Sequence, residues 1–144
     1  MKRSYAILVT VVLTVSVCAQ QELLGEWKTI DDKTKIEKSI VKIFKATDGF
    51  YYGKIERLLE DKYKGAVCIP CTGAEKDKPV EGMIIIKKMK LEGEKLTGGQ
   101  VLDPESGHVY YAHIYIDKKT GHLILRGSID KRGVLGRNQA WIRF

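Results

Sequence analysis

MIIIKKMKLEGEKLTGGQVLDPESGHVYYAHIYIDKKTGHLILRGSIDKRGVLGRNQAWIRF, residues 83–144, is the stretch on which the fold turns. It breaks into five β-rich runs, 83–91, 95–102, 108–117, 122–129 and 135–144. The breaks are Glu92-Gly93-Glu94, Asp103-Pro104-Glu105-Ser106-Gly107, Lys118-Lys119-Thr120-Gly121 and residues 130–133. Pro presets one turn dihedral and Gly accepts the reversed one, so each break reads as a hairpin turn. Strands joined this closely pair antiparallel with their sequence neighbours. Gly98-Gly99 lies inside a run, where a glycine pair marks a bulge or sharp coil.

Upstream the same rhythm holds. Residues 24–30, 36–45 and 50–59 form three further runs, with turn signals at Asp31-Asp32-Lys33 and Thr47-Asp48-Gly49. In the second run Ile36, Ile40 and Phe44 share one face, and Val41 and Ile43 the other. Residues 60–82 form a long connection carrying two cysteines and two prolines. The count is eight strands with no helix-period stretch of convincing length. An open eight-strand meander leaves two unpaired edges, and closure removes both. The expectation is an all-β, eight-stranded antiparallel up-and-down barrel, with a two-sheet sandwich as the alternative.

Residues 1–19 read as a secretory signal: Lys2 and Arg3, an apolar run too short to span a bilayer, then Val17-Cys18-Ala19. Cleavage after Ala19 leaves residues 20–144 as the mature domain. Lipid anchoring at Cys18 is the alternative, disfavoured by Val17 where a small residue is usual. The 25 basic residues less Lys2 and Arg3, against 18 acidic ones, leave the mature chain at +5. Its charges alternate in sign without forming a stripe, which argues against nucleic acid as a partner.

Gly25-Glu26-Trp27 heads the first mature run and resembles the Gly-x-Trp signature of lipocalins and their calycin relatives. In that superfamily the Trp closes one barrel end under an Arg from the last strand, and Arg137 and Arg143 both fit that role. They share one strand face with Gln139 and Trp141. A closer resemblance, to the bacterial domain of unknown function 2147 (DUF2147) family, covers nearly the whole mature chain. Its carriers are Gly25-Glu26-Trp27-Lys28-Thr29, Asp31-Asp32, Tyr51-Tyr52-Gly53-Lys54-Ile55 and Cys68-x-x-Cys71-x-Gly73. Lys78-Pro79, Gly82, Asp103-Pro104, Gly107, Arg126-Gly127 and Leu135-Gly136-Arg137-x-Gln139-x-Trp141 complete it. The resemblance implies a lipocalin-like barrel and export, and brings no established activity.

Cys68-Ile69-Pro70-Cys71 has three readings. A redox couple usually sets its first cysteine at a helix N-terminus, and no helix signal follows here. Zinc needs two more ligands, and His108, His113 and His122 lack ligand spacing. A local disulfide suits an oxidising compartment. The other two readings stay open on sequence alone. No metal site or cofactor is otherwise indicated. Ser39, Ser106 and Ser128 lack a base and an orienting partner, so no catalytic group assembles and no enzyme is expected.

The expected function is binding of a small apolar or amphipathic molecule in the barrel, with the 60–82 connection as a partial lid. Tyr111, His113 and Tyr115 alternate with the apolar set Tyr110, Ala112, Ile114 and Ile116. Either set can face inward. Tyr52, Tyr111, His113, Tyr115 and Arg126 form the candidate ligand set, apolar bodies with polar tips. The alternative function is an envelope interaction or inhibitor module, with a filled barrel and working loops.

Overall fold

In the computed structural model, residue 18 and residues 20–144 are described; the proposed signal segment otherwise lies outside them. Eight strands follow one another: β1 Gly25–Ile30, β2 Glu37–Lys45, β3 Tyr51–Leu58, β4 Ile84–Glu92, β5 Lys95–Leu102, β6 Val109–Ile116, β7 Leu123–Ser128 and β8 Gly136–Arg143. Each pairs antiparallel with its neighbours in sequence, and β8 returns to β1, closing the barrel. The closing seam is short, with only Trp27↔Arg143 and Lys28↔Ile142 in register.

Alternation assigns the interior. Trp27, Val41, Ile43, Ile55, Ile86, Leu96, Ala112, Ile114, Leu123 and Trp141 occupy matching register positions, and each is at most 3% exposed. Side chains lining a space large enough for a small molecule would keep surface facing it. These keep almost none, so the barrel is solid through its lower and middle layers. The eight-strand closure leaves an interior that side chains can fill, and here they do.

Three of the turns share one construction. Asp31, Asp103 and Asp117 each accept a backbone N–H two residues on, at 2.9, 3.0 and 2.9 Å. Each also accepts the hydroxyl three residues on, from Thr34, Ser106 and Thr120. The backbone and hydroxyl bonds of Thr34 hold the Asp31 carboxyl at a pKa of about 2. The fifth position is left-handed, at Gly107 (φ 75°) and Gly121 (φ 73°), but at Lys35 (φ 60°) in the first turn. A Cβ there costs roughly 1–2 kcal/mol, partly offset because Gly loosens the unfolded chain. Lys35→Gly is therefore expected to stabilise the protein by about 0.5–1 kcal/mol, read as a higher urea midpoint. An unchanged midpoint would contradict the shared-turn account.

The 60–82 connection, expected as a partial lid, packs largely on the outer wall, with Tyr63 against Lys38 at the rim. The register Ile86↔Val101 puts Ile85 beside Leu102 on the outer wall, and both are buried. The connection lies over this outer patch, with Cys68, Cys71 and Val80 joining the same apolar cluster. It folds as a small hairpin of its own, with Val67 opposite Pro79. The Cys68 Sγ sits 3.3 Å from the Pro104 carbonyl oxygen, Gly107 abuts the Pro70 backbone, and Glu75 pairs with Lys87. Cys68 and Cys71 are joined as a disulfide, 0% and 2% exposed.

Candidate functional site

One barrel end is shut by Trp27. Its indole Nε1 donates to the Leu23 carbonyl at 3.0 Å, and the Arg143 guanidinium lies 3.8 Å from the ring centroid. Arg143 also donates to the carbonyls of Leu24, at 2.7 Å, and Glu22. Burial lowers the Arg143 pKa, with Glu22 opposing. Of the two arginines the sequence offered, Arg143 is thus the one on the tryptophan. Gly25 (φ 108°) fits beneath it, since a Cβ there would sit 3.0 Å from an Arg143 nitrogen.

The opposite end carries the β1–β2, β3–β4, β5–β6 and β7–β8 connections. Lys38 at the start of β2 reaches Glu105 in the β5–β6 turn, and stands 3.9 Å from Asp31. These segments are three or more strands apart around the ring, so the contact spans the mouth. Burial alone would lower the Lys38 pKa, but the hydrogen bond and charge of Glu105, with Asp31, leave it raised.

The half of the mouth beside β6, β7 and β8 is not sealed. Register places Tyr110, Gly127, Gln139 and Arg137 on the inward face there, above the buried Ala112, Leu125 and Trp141. Tyr110, Gly127 and Gln139 are half-buried and Arg137 is exposed. Gly127 lies under Tyr110, where an added Cβ would be 3.6 Å from the tyrosine Cβ. Gln139 accepts from the Trp141 indole at 3.3 Å. The Arg137 guanidinium makes no ion pair or hydrogen bond among the described residues. A short seam with β1 leaves this side of the mouth open. The result is a half-buried amphipathic patch at the rim, with the Arg137 guanidinium exposed beside it.

The sequence-derived ligand set is not brought together inside. The apolar set of β6 takes the interior, leaving Tyr111, His113 and Tyr115 on the outer wall. Arg126 is their outer-face neighbour, paired with His113 in register, and bonds to the Gly133 and Val134 carbonyls and to Asn138. Tyr52 faces outward too, donating its hydroxyl to Asp48 at 2.6 Å. The physical reason is burial: Ala112 and Ile114 lose nothing by dehydration, whereas the Tyr and His tips stay wet. Among the described residues no three His, Cys, Asp or Glu side chains are grouped to hold a metal.

A closed eight-strand antiparallel barrel, plugged at one end by a Gly-x-Trp tryptophan under a last-strand arginine, is a lipocalin-like fold. The family described as "Uncharacterized protein conserved in bacteria (DUF2147)" matches residues 25–143, and the chain belongs to it. A solved structure described as "Protein HP1028 from the human pathogen Helicobacter pylori belongs to the lipocalin family" is similar in fold. It is 21% identical, with 85% of this chain and 82% of that one covered and a TM-score of 0.72. No curated protein matches the chain. No described helix is long and apolar enough to cross a membrane.

Proposed function

We propose that this protein is an exported, non-enzymatic binding protein that takes a small amphipathic molecule at the open half of the barrel mouth. The observation carrying this reading is Arg137: an inward register position, exposed, and without a carboxylate among the described residues. A guanidinium so placed favours a carboxylate or phosphate head group. Tyr110 and the apolar floor suit a short tail. The packed lower interior keeps the bound molecule shallow. Export rests on the residue 1–19 reading and accords with the Cys68–Cys71 disulfide.

Dodecanoate is expected to raise the thermal midpoint of the protein more than dodecanol does. Arg137→Gln should weaken dodecanoate binding about tenfold or more, the value of a hydrogen-bonded charge, and leave dodecanol unchanged. Titration calorimetry checks this. If neither probe binds the wild type, or the variant binds dodecanoate as tightly, the reading fails.

The filled interior favours a second reading, in which the barrel is a rigid frame and its loops hold an envelope protein. That reading gains if the protein, purified from its native envelope, carries no extractable small molecule. It gains further if a protein partner is lost with Cys68→Ser/Cys71→Ser.

A further inference from the structure

We infer that the β7–β8 loop, residues 129–135, is a docking tip for an anionic lipid surface. Ile129, Val134 and Leu135 are 68%, 69% and 63% exposed. Large aliphatic side chains clustered in water mark a contact surface. Around them the charge is one-sided. Residues 126–137 hold four basic residues, Arg126, Lys131, Arg132 and Arg137, against the single acid Asp130, a net +3 within a chain of +7.

That one acid is turned inward. The Asp130 carboxylate accepts the backbone N–H of Val134 at 3.0 Å and of Leu135 at 2.7 Å. These bonds lower its pKa, so it stays ionised and faces its own loop. Lys131 and Arg132 are exposed and form no ion pair among the described residues.

The loop is also held in shape before anything binds. Arg126 donates to Gly133 O at 2.5 Å and Val134 O at 3.0 Å. The His113 imidazole lies 3.2 Å from Lys131 O, and Gly133 N donates to Asp130 O at 3.1 Å. Ordering entropy is therefore small on docking. This gives the outer-wall residues His113 and Arg126 a use that the barrel interior does not.

Charge complementarity and shape select the occupant. The tip is convex and aliphatic, without the Trp or Tyr anchors that fill pockets on a protein partner. A fluid surface needs no matching pocket: aliphatic tips enter the head-group boundary while flanking cations meet lipid phosphates.

Leu135→Trp supplies a local reporter, because native Trp27 and Trp141 are 1% and 2% exposed. In the full chain, vesicles of phosphatidylglycerol and phosphatidylcholine should shift its emission to the blue, and phosphatidylcholine alone should not. Adding Lys131→Glu/Arg132→Glu should reduce partitioning at least about twentyfold, at roughly fivefold per cation. Adding Lys118→Glu/Lys119→Glu, the same charge change at the opposite barrel end, should leave it unaltered. The inference is overturned if no shift occurs, if neutral vesicles shift the emission equally, or if both charge reversals weaken binding alike. A shift with polyglutamate and none with vesicles also overturns it, assigning the tip to an acidic protein.

Discussion

Trp27→Ala is expected to cost the barrel about 3–5 kcal/mol, the range for emptying a buried aromatic site. Four losses combine. The indole is 1% exposed, so its whole volume becomes a void. Its hydrogen bond to the Leu23 carbonyl goes, leaving that acceptor facing the void. The cation–π contact with Arg143, generally worth about 0.5–2 kcal/mol, goes as well. Finally, Trp27 and Arg143 are one of only two register pairs joining β1 to β8, so the void opens at the weakest seam of the ring.

Urea unfolding followed by circular dichroism measures the loss. Trp27→Phe should recover part of it, since a ring remains for the guanidinium but the Leu23 bond does not. Arg143→Ala should cost less than Trp27→Ala, because it removes the cation and two carbonyl contacts but no core volume. A Trp27→Ala cost under about 1.5 kcal/mol, below the whole range for such truncations, would mean the end is held shut by something else.

The strands were legible because period-two alternation and turn chemistry both act locally. Every strand begins and ends close to where its turn residues place it. What alternation cannot supply is which face turns inward, or how far the ring shears on closing. Arg137 and Arg143 share parity on β8, and only the closing register Trp27↔Arg143 separates them. On β6 the apolar face suits ordinary packing, while Tyr111, His113 and Tyr115 on the other face also resemble a pocket lining. The site residues missed, Tyr110, Gln139 and Arg137, share the parity of Ala112 and Trp141, so a fixed inward face would have found them. The docking of the long connection did leave a trace. Ile84-Ile85-Ile86 and Val101-Leu102 break alternation with unbroken apolar runs, which signals burial on both faces.

Gly99→Ala is the second large effect, expected to cost at least about 3 kcal/mol, the upper end for overpacking a filled core. Its neighbour Gly98 provides the contrast. Gly98 has φ 73° with nothing near an added Cβ, so Gly98→Ala meets only the left-handed penalty, roughly 1–2 kcal/mol. A Gly98→Asn change should recover much of that, because Asn tolerates this conformation. At Gly99 the backbone angle is ordinary and the obstacle is space. A methyl would lie 2.3 Å from Lys87 O, 2.4 Å from Met89 Sδ and 2.8 Å from Met89 N. The sulfur can move, being the far end of a flexible side chain, but two of the three contacts are backbone atoms of β4. That strand already bulges here against β3, with Lys88 at φ 56° and the register shifting between Gly53↔Ile86 and Tyr51↔Met89, while its register with β5 is the same at Lys87↔Gln100 and Lys90↔Thr97. Relief therefore requires β4 and β5 to separate inside a closed ring, where neither strand has a free edge to retreat to. No side chain, Asn included, should rescue position 99. A Gly99→Ala loss no larger than that of Gly98→Ala, or rescue by Asn at 99, would show that the bulge relaxes freely.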